Sequence, residues 1–161
     1  MAQSEYGNIK HKLHFNTPIG TLCIQDDGKA LTALYIDSSG DTSGDFESDL
    51  LKRTKIQIME YFDGIRQEFD IPLNPKGTQF QLNVWSSLQK IPYAQTRSYS
   101  DIAGDIGRPN SCRAVGGANG KNPIMIIIPC HRVIGKSGSL VGFSAGMEVK
   151  KYLLALEQAT K

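Results

Sequence analysis

Cys130 stands where a side chain could do covalent chemistry. It follows the apolar run Ile124-Met125-Ile126-Ile127-Ile128 and Pro129, and precedes His131, Arg132 and Val133. A thiol attacks only as its thiolate, and an ordinary value of about 8.5 leaves it mostly protonated at neutral pH. A base within reach changes that, and His131 is the nearest candidate in the chain. Glu157 lies at the end of the last amphipathic segment, where the helix dipole favours cations over anions. A carboxylate in that place can orient a cation or a histidine. The plainer readings are an inert buried cysteine and an ordinary surface glutamate.

The elements around these residues must position them. The run 124–128 has strand length and no polar position, which predicts a strand buried on both faces and ended by Pro129. Cys130 would then sit at a rigid strand tip. Adjacent strand residues face opposite ways, so His131 needs the turn after Pro129, or a bridging water, to act on Cys130. Val149, Tyr152, Leu153 and Leu156 predict a closing amphipathic helix.

Upstream, Thr78-Gln79-Phe80-Gln81 has the form of a capping box. Phe80, Val84, Trp85 and Leu88 then line one helical face, and Pro92 stops the helix. Ser98-Tyr99-Ser100-Asp101 starts a second helix with Ile102, Ala103 and Ile106 on its apolar side. Gly107-Arg108-Pro109 breaks it. Asn110 or Ser111 can cap a third helix that contains residues 113–119. Two short helices about a glycine-containing turn predict a helix-turn-helix. Gly116 and Gly117 cost that helix about 1 kcal/mol each relative to alanine. A surface of Ala114, Gly116 and Gly117 permits close approach, either to the protein's own core or to a narrow DNA groove.

The first half predicts a small sheet and one helix. Lys12 to Phe15 alternates, Thr21 to Ile24 and Ala30 to Ile36 follow as strands, and Asp27-Gly28 marks a hairpin. Helical spacing from Asp45 places Phe46, Leu50, Leu51, Ile58, Met59 and Phe62 on one face, with Gly64 as terminator. Phe69 to Ile71 reads as a further short strand. Asn74-Pro75-Lys76-Gly77 is the linker, giving domains at 1–75 and 76–161.

The chain has 161 residues, 40% hydrophobic and 21% charged, with a net charge of +2. That is the balance of a soluble globular protein. No run approaches the roughly 20 apolar residues of a membrane span. The N-terminal stretch lacks the apolar core of a secretory signal, so the expected location is the cytoplasm. Cys23, Cys112 and Cys130 form no CxxC pair, and no disulfide framework is expected. Residues 1–75 carry 7 Lys/Arg against 12 Asp/Glu, whereas residues 76–161 carry 11 against 4. That asymmetry suits a polyanionic partner for the second half.

The residues from Pro129 to Val133 resemble the signature of the O6-alkylguanine-DNA alkyltransferases. The resemblance runs over about residues 78–157 and takes in 113–118, Asn122-Pro123, Gly142, 144–146 and 150–157. It implies an α/β fold: a small ribonuclease-H-like N-terminal domain, then a mainly helical winged-helix-like domain. It implies suicide transfer of an alkyl group from O6-alkylguanine in duplex DNA to Cys130 by a monomer that needs no cofactor. O4-alkylthymine stays open as a second substrate.

Position by position, the resemblance makes Cys130 the acceptor, His131 its water-bridged base and Glu157 the carboxylate that orients His131. Asn122 shapes the active-site turn. Tyr99 serves guanine N3, Ser144 serves O6, and backbone carbonyls near Cys130 and Val133 read the exocyclic amine. Arg113 fills the gap left by the flipped base, and its helix, with Ala114, Gly116, Gly117 and Asn119, faces the minor groove. Phe143 stands where many members have tyrosine. The histidines and cysteines of the first half do not reproduce the zinc set of some relatives, so no metal is expected. Two rival readings fit the residues less well. A damage sensor would lack the acceptor cysteine, and a cysteine hydrolase has no use for a basic helix-turn-helix.

Overall fold

Alternating apolar residues and two tight turns build the first unit, which comprises Met1–Lys76. The computed structural model describes residues 8–140 and 143–161; Gly142 of the family pattern lies outside them. Strands β1 (His11–Thr17), β2 (Gly20–Asp26) and β3 (Leu31–Ile36) form an antiparallel meander in the order β1-β2-β3. Leu13 pairs with Ile24, which pairs with Leu34, and Phe15 pairs with Leu22, which pairs with Ile36. These rows set one apolar face. Between β2 and β3, Gly28 takes a φ of +92° while Asp27 Oδ1 accepts the Lys29 and Ala30 N–H groups, both at 2.9 Å.

Helix α1 (Asp49–Phe62) packs on this sheet through Leu51, Thr54, Ile58, Tyr61 and Phe62. Ser48 caps its N-terminus by accepting the Leu51 N–H, and the Ser48 hydroxyl donates to Asp26 at 2.7 Å. At the other end Gly64, at φ +76°, donates to the Tyr61 carbonyl, and Ile65 donates to the Glu60 carbonyl. Those two bonds make a Schellman stop. Two expectations fail here. Phe46 precedes the helix instead of lining it; it is 58% exposed and stacks on the His11 ring. Residues 69–71 form no strand, because the backbone pairs with β3 only at a single bridge, Leu73 to Leu31.

The second unit, Gly77–Lys161, is mainly helical. It contains α2 (Gln79–Leu88), β4 (Arg97–Ser98), α3 (Tyr99–Asp105), α4 (Cys112–Gly120), a 3₁₀ turn at Cys130–Arg132, β5 (Val133–Ile134) and α5 (Met147–Thr160). Strands β4 and β5 pair in parallel. Helices α2, α3 and α4 pack on one another around Val84, Trp85, Leu88, Ile102 and Val115. The Trp85 indole N–H donates to the Ala118 carbonyl at 2.9 Å, so the largest core side chain carries no orphan donor. Thr78 with Gln81, and Ser98 with Asp101, form complete capping boxes. Ser111 occupies the N-cap of α4 but makes no side-chain cap bond.

The expected strand at 124–128 is absent. Ile124, Met125, Ile126 and Ile128 are buried, yet the backbone coils through successive turns, with Ile126 at φ +71°. The physical cause is Asn122. Its side-chain oxygen accepts the Ile124 N–H at 3.0 Å and its amide donates to the Ile128 carbonyl at 2.8 Å. These bonds staple both ends of the run together. A β-branched residue in the left-handed region is strained by about 1–3 kcal/mol, and such outliers cluster at functional sites.

Candidate active site

The stapled turn delivers Pro129 and then the 3₁₀ turn that carries Cys130, His131 and Arg132, all three buried. Successive side chains on a 3₁₀ turn diverge by about a third of a turn, not to opposite faces. The Cys130 carbonyl is engaged twice, by the Val133 N–H and by the Asn119 side-chain amide at 3.3 Å. Burial pushes the Cys130 thiol up to about 11, against the opposing influence of the Asn122 side chain and the Lys150 charge. At rest the sulfur is therefore a protonated thiol, and attack requires a base.

His131 is held in one tautomer. His131 Nε2 lies 2.5 Å from Glu157 Oε2, with both side chains fully buried. Desolvation holds His131 below its ordinary value despite Glu157, so the ring is neutral. Glu157 is held down at about 2; burial opposes this, but the hydrogen bond to His131 and the hydrogen bonds and charge of Arg132 prevail. A neutral ring beside a carboxylate puts its proton on Nε2. The lone pair then sits on Nδ1, a buried atom with no hydrogen-bond partner among the described residues. This is the arrangement of a general base.

Arg132 completes the arrangement, and the sequence reading gave it no role. Its Nε donates to Glu157 Oε1 at 2.8 Å, Nη2 to Oε2 at 3.1 Å, and Nη1 to the Ile91 carbonyl at 2.8 Å. The Ala94 N–H also donates to Glu157 Oε1 at 3.1 Å. Lys150 is the second omission. It is fully buried, and its Nζ donates to the Val133 carbonyl at 2.5 Å and lies 5.9 Å from the Phe143 ring centre. The signal lay in the spacing: the buried face of α5 is Lys150, Leu153 and Glu157, while Tyr152 is 40% exposed. Two charged residues bracketing the central leucine at i, i+3, i+7 share its buried face, so each needs a partner in the core.

Tyr99, the first residue of α3, belongs to the same cluster. Burial and then the neighbouring Cys130 push its phenol above the ordinary value, with Asn119 acting against them. It remains a hydrogen-bond donor. Phe143 is half-buried and Ser144 exposed on the segment before α5.

The α4 residues divide by face. Arg113, Ala114 and Gly117 are exposed, and Gly116 is turned partly toward the Tyr99 ring. A methyl group on Gly117 would meet nothing within 4 Å. Packing against the core therefore does not explain that glycine. Asn119 departs from the expected DNA-facing set: it is buried against Cys130, because it lies on the opposite side of the helix from Gly117.

Comparison with known proteins agrees with this geometry. Residues 79–159 match the family described as 6-O-methylguanine DNA methyltransferase, DNA binding domain, and residues 10–75 match its ribonuclease-like domain. An inducible methylated-DNA–protein-cysteine methyltransferase of Bacillus subtilis is 53% identical over 112 residues, covering 70% of this chain and 63% of that protein. A methylated-DNA–protein-cysteine methyltransferase of Methanosarcina barkeri is 43% identical over 148 residues, covering 88% of this chain and 93% of that one. The crystal structure of Mycobacterium tuberculosis OGT in complex with DNA superimposes with a TM-score of 0.86 at 44% identity, covering 93% of this chain and 94% of that one. With both halves matched and the thiol, histidine and glutamate assembled in the second, the chain belongs to the 6-O-methylguanine DNA methyltransferase family.

Proposed function

We infer that this protein repairs O6-alkylguanine in duplex DNA by moving the alkyl group onto Cys130, once per molecule. The observation that carries the reading is the buried Glu157–His131 pair, which leaves Nδ1 as a base next in sequence to a buried thiol. His131 takes the Cys130 proton through a bridging water. The sulfur attacks the alkyl carbon in line, the S–C bond forms and the C–O6 bond breaks. Tyr99 donates a hydrogen bond to guanine N3 and eases departure of the base. Guanine leaves intact and takes up the proton that the thiol gave to the relay. The alkyl group comes from the lesion, and a thioether carbon is a poor electrophile, so the transfer consumes the protein.

The exposed face of α4 supplies the approach to DNA. A nucleotide stacked in a duplex cannot reach a buried sulfur in line, so it must leave the stack at a cost of a few kcal/mol. Arg113, exposed at the second position of α4, occupies the space left behind. Ala114 and Gly117 let the helix enter the minor groove closely. Phe143 walls the alkyl pocket and Ser144 hydrogen-bonds O6. Of the carbonyls suited to the exocyclic amine, that of Val133 accepts from Lys150 and keeps a second lone pair. Three unpaired cysteines suit a reducing, cytoplasmic compartment.

Intact-protein mass spectrometry after mixing with an O6-methylguanine duplex tests this. One methyl per protein, on the peptide containing Cys130, is expected. Unmodified protein in excess lesion would refute it.

A further inference from the structure

The first unit carries a group of polar side chains that alkyl transfer does not use. His14 on β1 pairs in register with Cys23 on β2, and Cys23 pairs with Tyr35 on β3. Paired residues project on the same face of a sheet, and Asp37, two beyond Tyr35, returns to that face. His14 Nε2 lies 2.8 Å from Asp37 Oδ2. One donor atom from each of His14, Cys23 and Asp37 lies within 4.8 Å of the other two. The remaining ring nitrogen, Nδ1, lies 2.8 Å from Asp45 Oδ1, and Asp45 Oδ2 accepts the His14 backbone N–H at 2.9 Å.

An imidazole, a thiol and a carboxylate are the donor types that bind zinc. A metal-bound histidine nearly always gives its second N–H to a carboxylate, which fixes the ring and raises its basicity. Asp45 already stands in that place. We propose that His14, Cys23 and Asp37 form a binding site for a divalent cation of the zinc class, with Asp45 orienting His14. Three protein ligands leave a fourth tetrahedral position for water. Ligation needs donors about 3.3–3.8 Å apart, from bond lengths of about 2.0–2.3 Å, so the His14–Asp37 pair opens by about 0.5 Å and the distances to Cys23, within 4.8 Å, close by up to about 1 Å.

Desolvation pulls the His14 value down, but the bonds to and charges of Asp37 and Asp45 outweigh it and raise it above the ordinary value. Asp37 is ionised at about 2. The Cys23 thiol is pushed up by burial and by the Asp37 charge, against its neighbours Tyr35, Gln25 and Lys12. Ligands bind a metal only when deprotonated, so uptake of one ion displaces the Cys23 Sγ proton and replaces the hydrogen bond between His14 Nε2 and Asp37. A coordinating cation deprotonates such a thiol outright.

Titration of the full chain with Co²⁺, which reports thiolate ligation by a near-ultraviolet charge-transfer band, tests the site. One Co²⁺ per protein with that band, displaced by Zn²⁺, is expected. Cys23→Ser should abolish the band, and Asp45→Asn should weaken affinity by about 10–100-fold. Absence of the band, or a band unchanged in Cys23→Ser, overturns the proposal, the latter by assigning the thiolate to Cys112 or Cys130. Should Cys23→Ser fail to fold, Asp37→Asn keeps the thiol. Its Co²⁺ affinity should fall at least about tenfold, and unchanged affinity likewise overturns the site.

Discussion

Glu157 is shared between His131 and Arg132: its Oε2 lies 2.5 Å from His131 Nε2, and its Oε1 accepts Arg132 Nε at 2.8 Å. One carboxylate thus sets the tautomer of His131 and neutralises a buried guanidinium. The two roles separate experimentally. Glu157→Gln should slow transfer by about 10²–10⁴-fold, the usual contribution of a positioned base. It should also destabilise the fold by about 3–5 kcal/mol, because Arg132 is left buried without a counter-charge. The double variant Glu157→Gln/Arg132→Met should recover much of the stability and none of the rate. Recovery of rate would show that Glu157 serves packing alone.

The same pair fixes the pH dependence. His131 has its folded value below the ordinary ~6.5, so the neutral ring stabilises the fold above that pH and the gain is lost as pH falls below it. Glu157, held near 2, adds stability present above the ordinary ~4.3 and lost as pH falls toward 2. Stability should decline in two stages on acidification, and His131→Gln should remove the upper one. The transfer rate should fall with protonation of His131 and should not rise in step with a thiol titrating near 11. Denaturant unfolding and single-turnover rates across pH read both.

Cys130→Ser should abolish transfer while duplex binding persists, since a hydroxyl offers no comparable anion near neutral pH. Serine is close to isosteric, and the 3₁₀ turn is held by Asn119 and the Val133 N–H on the backbone carbonyl, which the change leaves in place. Gel-shift affinity within a few-fold of the parent, with no methylated product, is the expected pair of results.

Lys150 should matter to rate as well as to folding. Its charge lowers the Cys130 value, and its Nζ satisfies the Val133 carbonyl. Lys150→Met removes both, leaving a carbonyl whose unpaired cost is about 1–3 kcal/mol, offset in part by no longer burying a charge. Transfer should slow by about tenfold or more, about 1.4 kcal/mol of lost support for the thiolate. An unchanged rate would reduce Lys150 to a structural tie.

The exposed face of α4 makes opposite predictions for folding and for binding. Gly117→Ala meets open space and should stabilise the protein by up to about 1 kcal/mol, the helix-propensity gain. The same methyl should weaken duplex binding if the backbone enters a groove there. Arg113→Ala should slow duplex transfer even at saturating protein, while reaction with free O6-benzylguanine stays near parental. Full recovery at saturation would make Arg113 a phosphate contact only.

Local sequence determined much of this protein by itself. Capping boxes at Thr78 and Ser98, the hairpin at Asp27-Gly28 and the stop at Gly64 act within a few residues of chain, so they are legible in order. The resemblance also brought Cys130, His131 and Glu157 forward together. What tertiary structure decided is how the apolar run before Cys130 is spent. Periodicity cannot distinguish a buried strand from a buried coil when every position is apolar. The Asn122 staple, whose bonds satisfy the Ile124 N–H and the Ile128 carbonyl locally, chose the coil. The inward turn of Lys150, Arg132 and Asn119 was decided there too. Charged and amide side chains are exposed by default, and only a partner already fixed in the core repays their desolvation. Those partners are the Val133 carbonyl, Glu157 and the Cys130 carbonyl, all distant in sequence or hidden in the backbone.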